Sequence, residues 1–194
     1  MFRGRLLSRA SGVALILLRH TRPAGSDGVC YGRTDLPPGP DLANAVRRLD
    51  ARLPAFGRIL SSPLARCLRL AEALGAARGL PVAVDARLAE LDFGRWEGLR
   101  WDRVPREELD AWAADLLGAR PHGGETVAEM AARVTAALAG AGDGTLAVTH
   151  MGPIRAALAA AGRPGAWEAR LPFGGWIDLP APPAPAAADA RGLG

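Results

Sequence analysis

Val13-Ala14-Leu15-Ile16-Leu17-Leu18-Arg19-His20 is an unbroken apolar run, about as long as a strand, that ends on a guanidinium and an imidazole. A strand apolar at every residue, rather than at every second one, is covered on both faces, as the strands of parallel sheets are. Open sheets of that kind bind ligands outside the carboxyl ends of their strands, where Arg19 and His20 stand. A second run, Thr145-Leu146-Ala147-Val148-Thr149, ends the same way in His150, followed by Met151-Gly152-Pro153 and an apolar helix pattern. Two of the three histidines therefore share one context. Imidazole is the side chain most easily held neutral and nucleophilic, or cationic and donating, near neutral pH.

Working outward, the pattern alternates strands with helices. After the first strand comes a Gly- and Pro-rich loop, Thr21 to Pro40, then Leu42, Ala45, Val46, Leu49 and Leu53 at helical spacing behind Asp41 as N-cap. Arg58-Ile59-Leu60 reads as a short strand, with Ser61-Ser62-Pro63 as cap and first-turn proline of a helix carrying Leu64, Cys67, Leu68, Ala71 and Leu74 on one face. Arg66 then falls in its first turn. Pro81–Val84 is a third short strand. The aromatic-rich stretch from Asp85 to Arg106 is expected to be an irregular lid packed by Trp96, Trp101 and Trp112, with a weak helix at 107–117 after it. His122 sits in a glycine-rich turn, where exposure is expected. Thr126 and Glu129 form a capping box before Val127, Met130, Ala131, Val134 and Leu138. Gly174–Leu179 is read as a last, edge strand that could pair two chains into a homodimer.

The pattern predicts an α/β fold, a three-layer α/β/α sandwich with a mostly parallel sheet and right-handed crossovers. One domain over residues 13–179 is expected, with a loose extension at 1–12 and a Pro/Ala-rich, flexible tail at 180–194. Residues 2–18 mimic a signal peptide but run into Arg19-His20 without a cleavage pattern, and no stretch is long enough to span a bilayer. All 24 basic side chains are arginine, yet a net charge of +4 without dense Arg runs argues against a nucleic-acid partner and for small anionic substrates. Cys30 and Cys67 make neither a metal spacing nor a disulfide framework, which suits the cytoplasm. Cys30 beside Arg33 lacks the glycine-rich loop of a cysteine phosphatase.

By this topology five residues converge at carboxyl ends: Arg19, His20, Arg66, Glu90 and His150. Two guanidinium forks and two helix N-termini suit a phosphate dianion. A neutral His20 could attack phosphorus in line, His150 and the arginines would stabilise the equatorial oxygens, and Glu90 would protonate the leaving oxygen if apolar neighbours raise its pKa. Glu97 competes for the acid role, or holds the lid through an arginine. The scheme calls for no metal and no cofactor.

Leu17-Leu18-Arg19-His20, Tyr31-Gly32-Arg33-Thr34-Asp35-Leu36-Pro37, Ser61-Ser62-Pro63-Leu64-Ala65-Arg66, Leu88 to Gly98, Gly124-Glu125-Thr126 and Val148-Thr149-His150 stand in the order and spacing of one family. Across roughly residues 13–160 the chain resembles the histidine phosphatase superfamily, the phosphoglycerate-mutase-like proteins. The resemblance implies His20 as the phosphorylated nucleophile, Arg19, Arg66 and His150 as the phosphate pocket, and Glu90 as proton donor. Cys30-Tyr31-Gly32-Arg33-Thr34-Asp35 and the compact length look like its α-ribazole phosphatase branch, which serves cobalamin biosynthesis. Thr21 stands where the family has glycine, and no asparagine follows in the loop; the Thr21 hydroxyl is expected to contact phosphate, and Arg22 or Thr34 to replace the asparagine. Three functions follow as alternatives: a phosphomonoesterase acting on a small phosphorylated metabolite, a mutase that returns the phosphoryl group, or a phosphate-binding module without turnover.

Overall fold

The computed structural model describes residues 15–179. The expected extension at 1–12, the first two residues of the opening run and the tail at 180–194 lie outside the described residues.

The run at the start of the chain is β1 (Leu15–Arg19), and the second run is β4 (Thr145–Thr149). They lie side by side in a five-stranded sheet of order β3-β2-β4-β1-β5, with β2 at Arg58–Ser61, β3 at Val82–Val84 and β5 at Trp176–Leu179. Pairing is parallel except for β5, the edge strand, which runs antiparallel to β1. Burial on both faces explains the absence of alternation in β1 and β4. Ile16, Leu18, Leu146 and Val148 meet α1 (Leu42–Asp50) and α2 (Ala65–Arg78) on one side. Leu15, Leu17 and Ala147 meet α5 (Met151–Ala160) on the other, where α4 (Val127–Ala139) also packs. The result is the expected three-layer α/β/α sandwich.

The chain visits β2 and β3 before returning to insert β4 between β1 and β2, so the carboxyl ends of β1 and β4 become neighbours. Arg19 is the register partner of Thr149, and the His20 amide donates to the Thr149 carbonyl at 3.0 Å. Two histidines 130 positions apart are thereby set next to one another by β-pairing alone.

Local expectations fared unevenly. The capping box of Thr126 and Glu129 is formed in both directions. Asp41, expected to cap α1, instead accepts from the Asn44 and Arg48 side chains and leaves the helix N–H groups alone. Helix α2 begins later than expected: Leu64 is the cap position, Pro63 precedes it, and the Ala65 N–H is satisfied by Asp35 from a distant loop at 2.6 Å. A tertiary contact has replaced the local cap, which no local motif could reveal. The weak helix is α3 (Arg106–Ala114).

The expected lid is a second small core. Residues 85–106 carry three short 3-10 turns, and Trp96, with no solvent exposure, packs with Cys30 and Val104 against Phe93, Leu109 and Trp112. His122, expected in solvent, is 1% exposed. Its Nδ1 accepts from the Gly124 N–H at 3.0 Å, and its ring lies 4.9 Å from Trp96 and 5.7 Å from Phe93. The glycines around it turn the chain inward rather than holding it out.

Candidate active site

A cavity of about 260 Å³ opens at the carboxyl ends of β1 and β4. Arg19, His20 and Glu90 line it, while His150 and Arg66 are fully buried directly behind. The His20 and His150 rings are 5.1 Å apart, edge to face. All five residues that the sequence picked out are thus brought together by four separate strand ends.

His20 is 2% exposed, and its Nδ1 lies 2.7 Å from the Thr21 carbonyl. A carbonyl only accepts, so Nδ1 carries the proton and Nε2 keeps its lone pair. Burial, together with the nearby Arg66 and Arg19 cations, lowers the His20 pKa to about 3. The imidazole is therefore neutral and nucleophilic at neutral pH. His150 is held well below the usual histidine range by burial, with His20 and Arg66 adding to the effect, and the Ser62 hydroxyl fixes its Nε2 at 2.8 Å.

Arg66 donates to the Gly32 and Thr34 carbonyls at 2.6 and 2.8 Å, and its guanidinium faces the Tyr31 ring at 5.0 Å. Arg19 donates to the Leu171 carbonyl, shares the cavity lining with Tyr31 and stacks on Phe173 at 4.1 Å. The Nε–H of each arginine is buried with no protein partner. Unpaired buried donors are costly, so two of them on cations near a neutral imidazole suit an anion.

Glu90 accepts from the Leu91 N–H at 3.1 Å and from the Gly152 N–H, in the first turn of α5, at 3.3 Å. Burial raises its pKa, and outweighs those two hydrogen bonds and the nearby arginines. Its backbone is fixed by Arg133 of α4, which donates to the Ala89 and Glu90 carbonyls at 2.7 and 3.0 Å while paired with Glu125 at 2.6 Å. A carboxyl with a raised pKa, lining the same cavity as His20, holds its proton to higher pH and can protonate a leaving oxygen.

Four other candidates, Glu97, Thr34, Thr21 and Arg22, do not line this cavity. Glu97, the competitor for the acid role, accepts from the Arg33, Thr34 and Phe93 N–H groups and from the Thr34 hydroxyl, so it staples the 32–34 loop. That fourth bond also commits the Thr34 hydroxyl, the expected phosphate contact, to a carboxylate. Thr21, expected to contact phosphate, lines a different cavity with its hydroxyl buried without a partner, and Arg22, offered in place of the missing asparagine, pairs with Asp27. Cys30 is buried and its thiol is pushed up to about 12, which leaves it un-ionised.

Other site residues escaped the sequence. Tyr31 lines the cavity between the two arginines, Phe173 covers Arg19, and Trp167 and Arg155 add walls from the C-terminal third. Gly152 is the residue with a local signal, directly following His150-Met151: a Cβ there would fall 2.2 Å from Glu90 Oε1. Among the described residues no group of three His, Cys, Asp or Glu side chains gathers as a metal site, and no helix is long and apolar enough to cross a membrane.

A sequence profile of the histidine phosphatase superfamily (branch 1) matches residues 15–172. Curated relatives include a protein named probable phosphoglycerate mutase GpmB from Klebsiella pneumoniae, 38% identical over 109 residues, 52% of this chain and 50% of that one. Its namesake from Salmonella choleraesuis is 39% identical over 93 residues, 46% of this chain and 43% of that one. The chain thus spans about half the length of the curated relatives it matches. Among solved structures, TTHB049 from Thermus thermophilus superposes with a TM-score of 0.71 at 30% identity, over 86% of this chain and 92% of that one. A mycobacterial glucosyl-3-phosphoglycerate phosphatase gives a TM-score of 0.68 at 28% identity, over 86% and 89%.

Proposed function

The chain belongs to the histidine phosphatase superfamily (branch 1), and from that premise we propose that it is a metal-independent phosphomonoesterase working through a phosphohistidine on His20. The observation that carries this reading is the state of His20: neutral, its Nδ1 proton spent on Thr21, its Nε2 free beside two unpartnered arginine N–H donors.

In the proposed reaction Arg19 and Arg66 hold the phosphoryl oxygens through those donors, and His150 stands alongside. His20 Nε2 attacks phosphorus, the bond from phosphorus to the ester oxygen breaks, and the Glu90 proton passes to that oxygen as the alcohol leaves. Water then attacks the phosphohistidine, its proton going to the Glu90 carboxylate. Orthophosphate departs and the imidazole regains its lone pair.

The alcohol half would occupy the rest of the cavity, whose walls are Val29, Trp101, Trp112, Leu116, Met130 and Trp167. Such walls favour a flat, largely apolar group over a glycerate, for whose carboxylate Arg155 is the one lining cation besides Arg19. This supports α-ribazole 5′-phosphate, a bicyclic aromatic base on a ribose, as the first substrate to try. The mutase names of the curated relatives support the second reading, return of the phosphoryl group to substrate. The phosphatase reading carries with it a cytoplasmic location, a small phosphorylated metabolite as partner, and a homodimer through the β5 edge, to be checked by sedimentation.

The deciding experiment is phosphate release from α-ribazole phosphate, phosphoglycerates, sugar phosphates and a chromogenic ester, with EDTA present. Selective release, abolished by His20→Ala, is expected. Isomerised phosphoglycerate with little free phosphate would establish the mutase instead, and silence towards every ester would leave a binding module.

A further inference from the structure

A second cavity is larger than the catalytic one. A space of about 610 Å³, within the range of small-molecule sites, lies on the α1 side of β1. Its floor is the apolar face of α1, Leu42, Ala45 and Leu49, and its far wall is the segment Pro172–Trp176 that leads into β5. Neither the proposed reaction nor its substrate uses it.

Charge and shape together define what it would take. Three guanidiniums, Arg22, Arg48 and Arg52, line it against one carboxylate, Asp41, which Arg48 already engages at 2.7 Å. Arg22 is paired with Asp27. Arg52 meets no carboxylate among the described residues and lies over the Trp176 indole at 5.5 Å. A cation on an indole face, beside leucines and a phenylalanine, offers a plane for a flat apolar body and a charge for an anionic end.

The wall is shared with the catalytic site. Phe173 lines the large cavity, while its ring lies 4.1 Å from the Arg19 guanidinium and 5.5 Å from the His20 ring. The Gly174 N–H donates to the Arg19 and His20 carbonyls at 3.2 and 3.1 Å, and the Arg19 N–H to the Gly175 carbonyl at 2.9 Å. The two cavities are therefore separate spaces with one shared partition.

We propose that this cavity is a second ligand site, distinct from the catalytic one, for an organic anion with a flat apolar body, its carboxylate or sulfonate on Arg52 and its body along the Pro172–Trp176 wall. Because the partition carries Arg19 and His20, a ligand that shifts Phe173 alters phosphate affinity, and phosphate alters the affinity of that ligand by the same factor.

The probe is 1-anilinonaphthalene-8-sulfonate, followed by its fluorescence on the full chain, a readout that needs no turnover and so stands or falls apart from the phosphatase reading. Saturable binding that persists at saturating orthophosphate is expected. Arg52→Gln should weaken it, and Arg52→Glu should weaken it further, to about tenfold, at unchanged melting temperature and with hydrolysis of a chromogenic ester within about twofold of the parent. Absence of binding, or indifference to both Arg52 substitutions, would each overturn the proposal.

Discussion

Glu90 and His20 are perturbed in opposite senses by the same burial, and in the proposed reaction that opposition divides the chemistry between them. Glu90, raised, is the group that must keep its proton. The rate kcat/KM is expected to fall as pH rises through its raised pKa, and Glu90→Gln should lower kcat by about 10²- to 10⁴-fold on an alkyl ester while flattening that limb. A p-nitrophenyl ester, whose leaving group needs no proton, should lose far less; an equal loss on both esters would remove Glu90 from the acid role. His20, lowered to about 3, is neutral in the fold where the unfolded chain would hold a proton. The unfolded state therefore binds more protons below the ordinary pKa, so the stability is complete above about pH 6.5 and is lost as pH falls towards 3. From this group alone about 2 kcal/mol should disappear between pH 6.5 and 5. Denaturant melts at the two pH values test it, with His20→Gln expected to show a correspondingly shallower dependence.

Elements explain why these residues hold their places. The first turn of α5 brings the Gly152 N–H to Glu90, and it can do so because position 152 has no side chain. Gly152→Ala is expected to push the carboxyl aside and cut kcat by about tenfold or more, with kcat on the p-nitrophenyl ester less affected; an unchanged alkyl-ester kcat would show that the acid tolerates displacement. Helix α4 presents Arg133 to the Glu90 backbone, and its start is set by Thr126 and Glu129. Thr126→Ala should cost about 1 kcal/mol in denaturant melts, the ordinary loss for an N-cap. That cap was legible from four consecutive residues because all its partners are local. The start of α2 was not, because its first N–H is met by Asp35, thirty positions upstream in the chain, and local sequence carries no trace of such a partner.

At the scale of the molecule the sheet and the aromatic subcore divide the work. Insertion of β4 between β1 and β2 makes the two histidines neighbours, while the 85–122 segment folds around Trp96 and Phe93 and supplies Glu90 at one end and cavity walls at the other. Trp96 is fully buried and donates to Glu108 at 2.6 Å. Trp96→Ala is expected to destabilise the chain by about 3–5 kcal/mol, and to raise KM for a bulky aromatic ester more than for a small alkyl phosphate. Equal KM changes would show that the subcore does not shape the alcohol pocket.

Composition, the two apolar runs and the ordered motifs determined the layer architecture and picked out the five residues that the fold brings together, because β-strand burial, helix periodicity and the chemistry of phosphate are all written in residue type and spacing. Tertiary structure alone decided the rest. It buried His122, spent the Thr34 hydroxyl on Glu97, paired Arg22 with Asp27 and placed Phe173 between two cavities. Each outcome is a competition among partners far apart in the chain, settled by which donors and acceptors the fold brings within about 3 Å of one another, and a side chain's type does not say which partner wins.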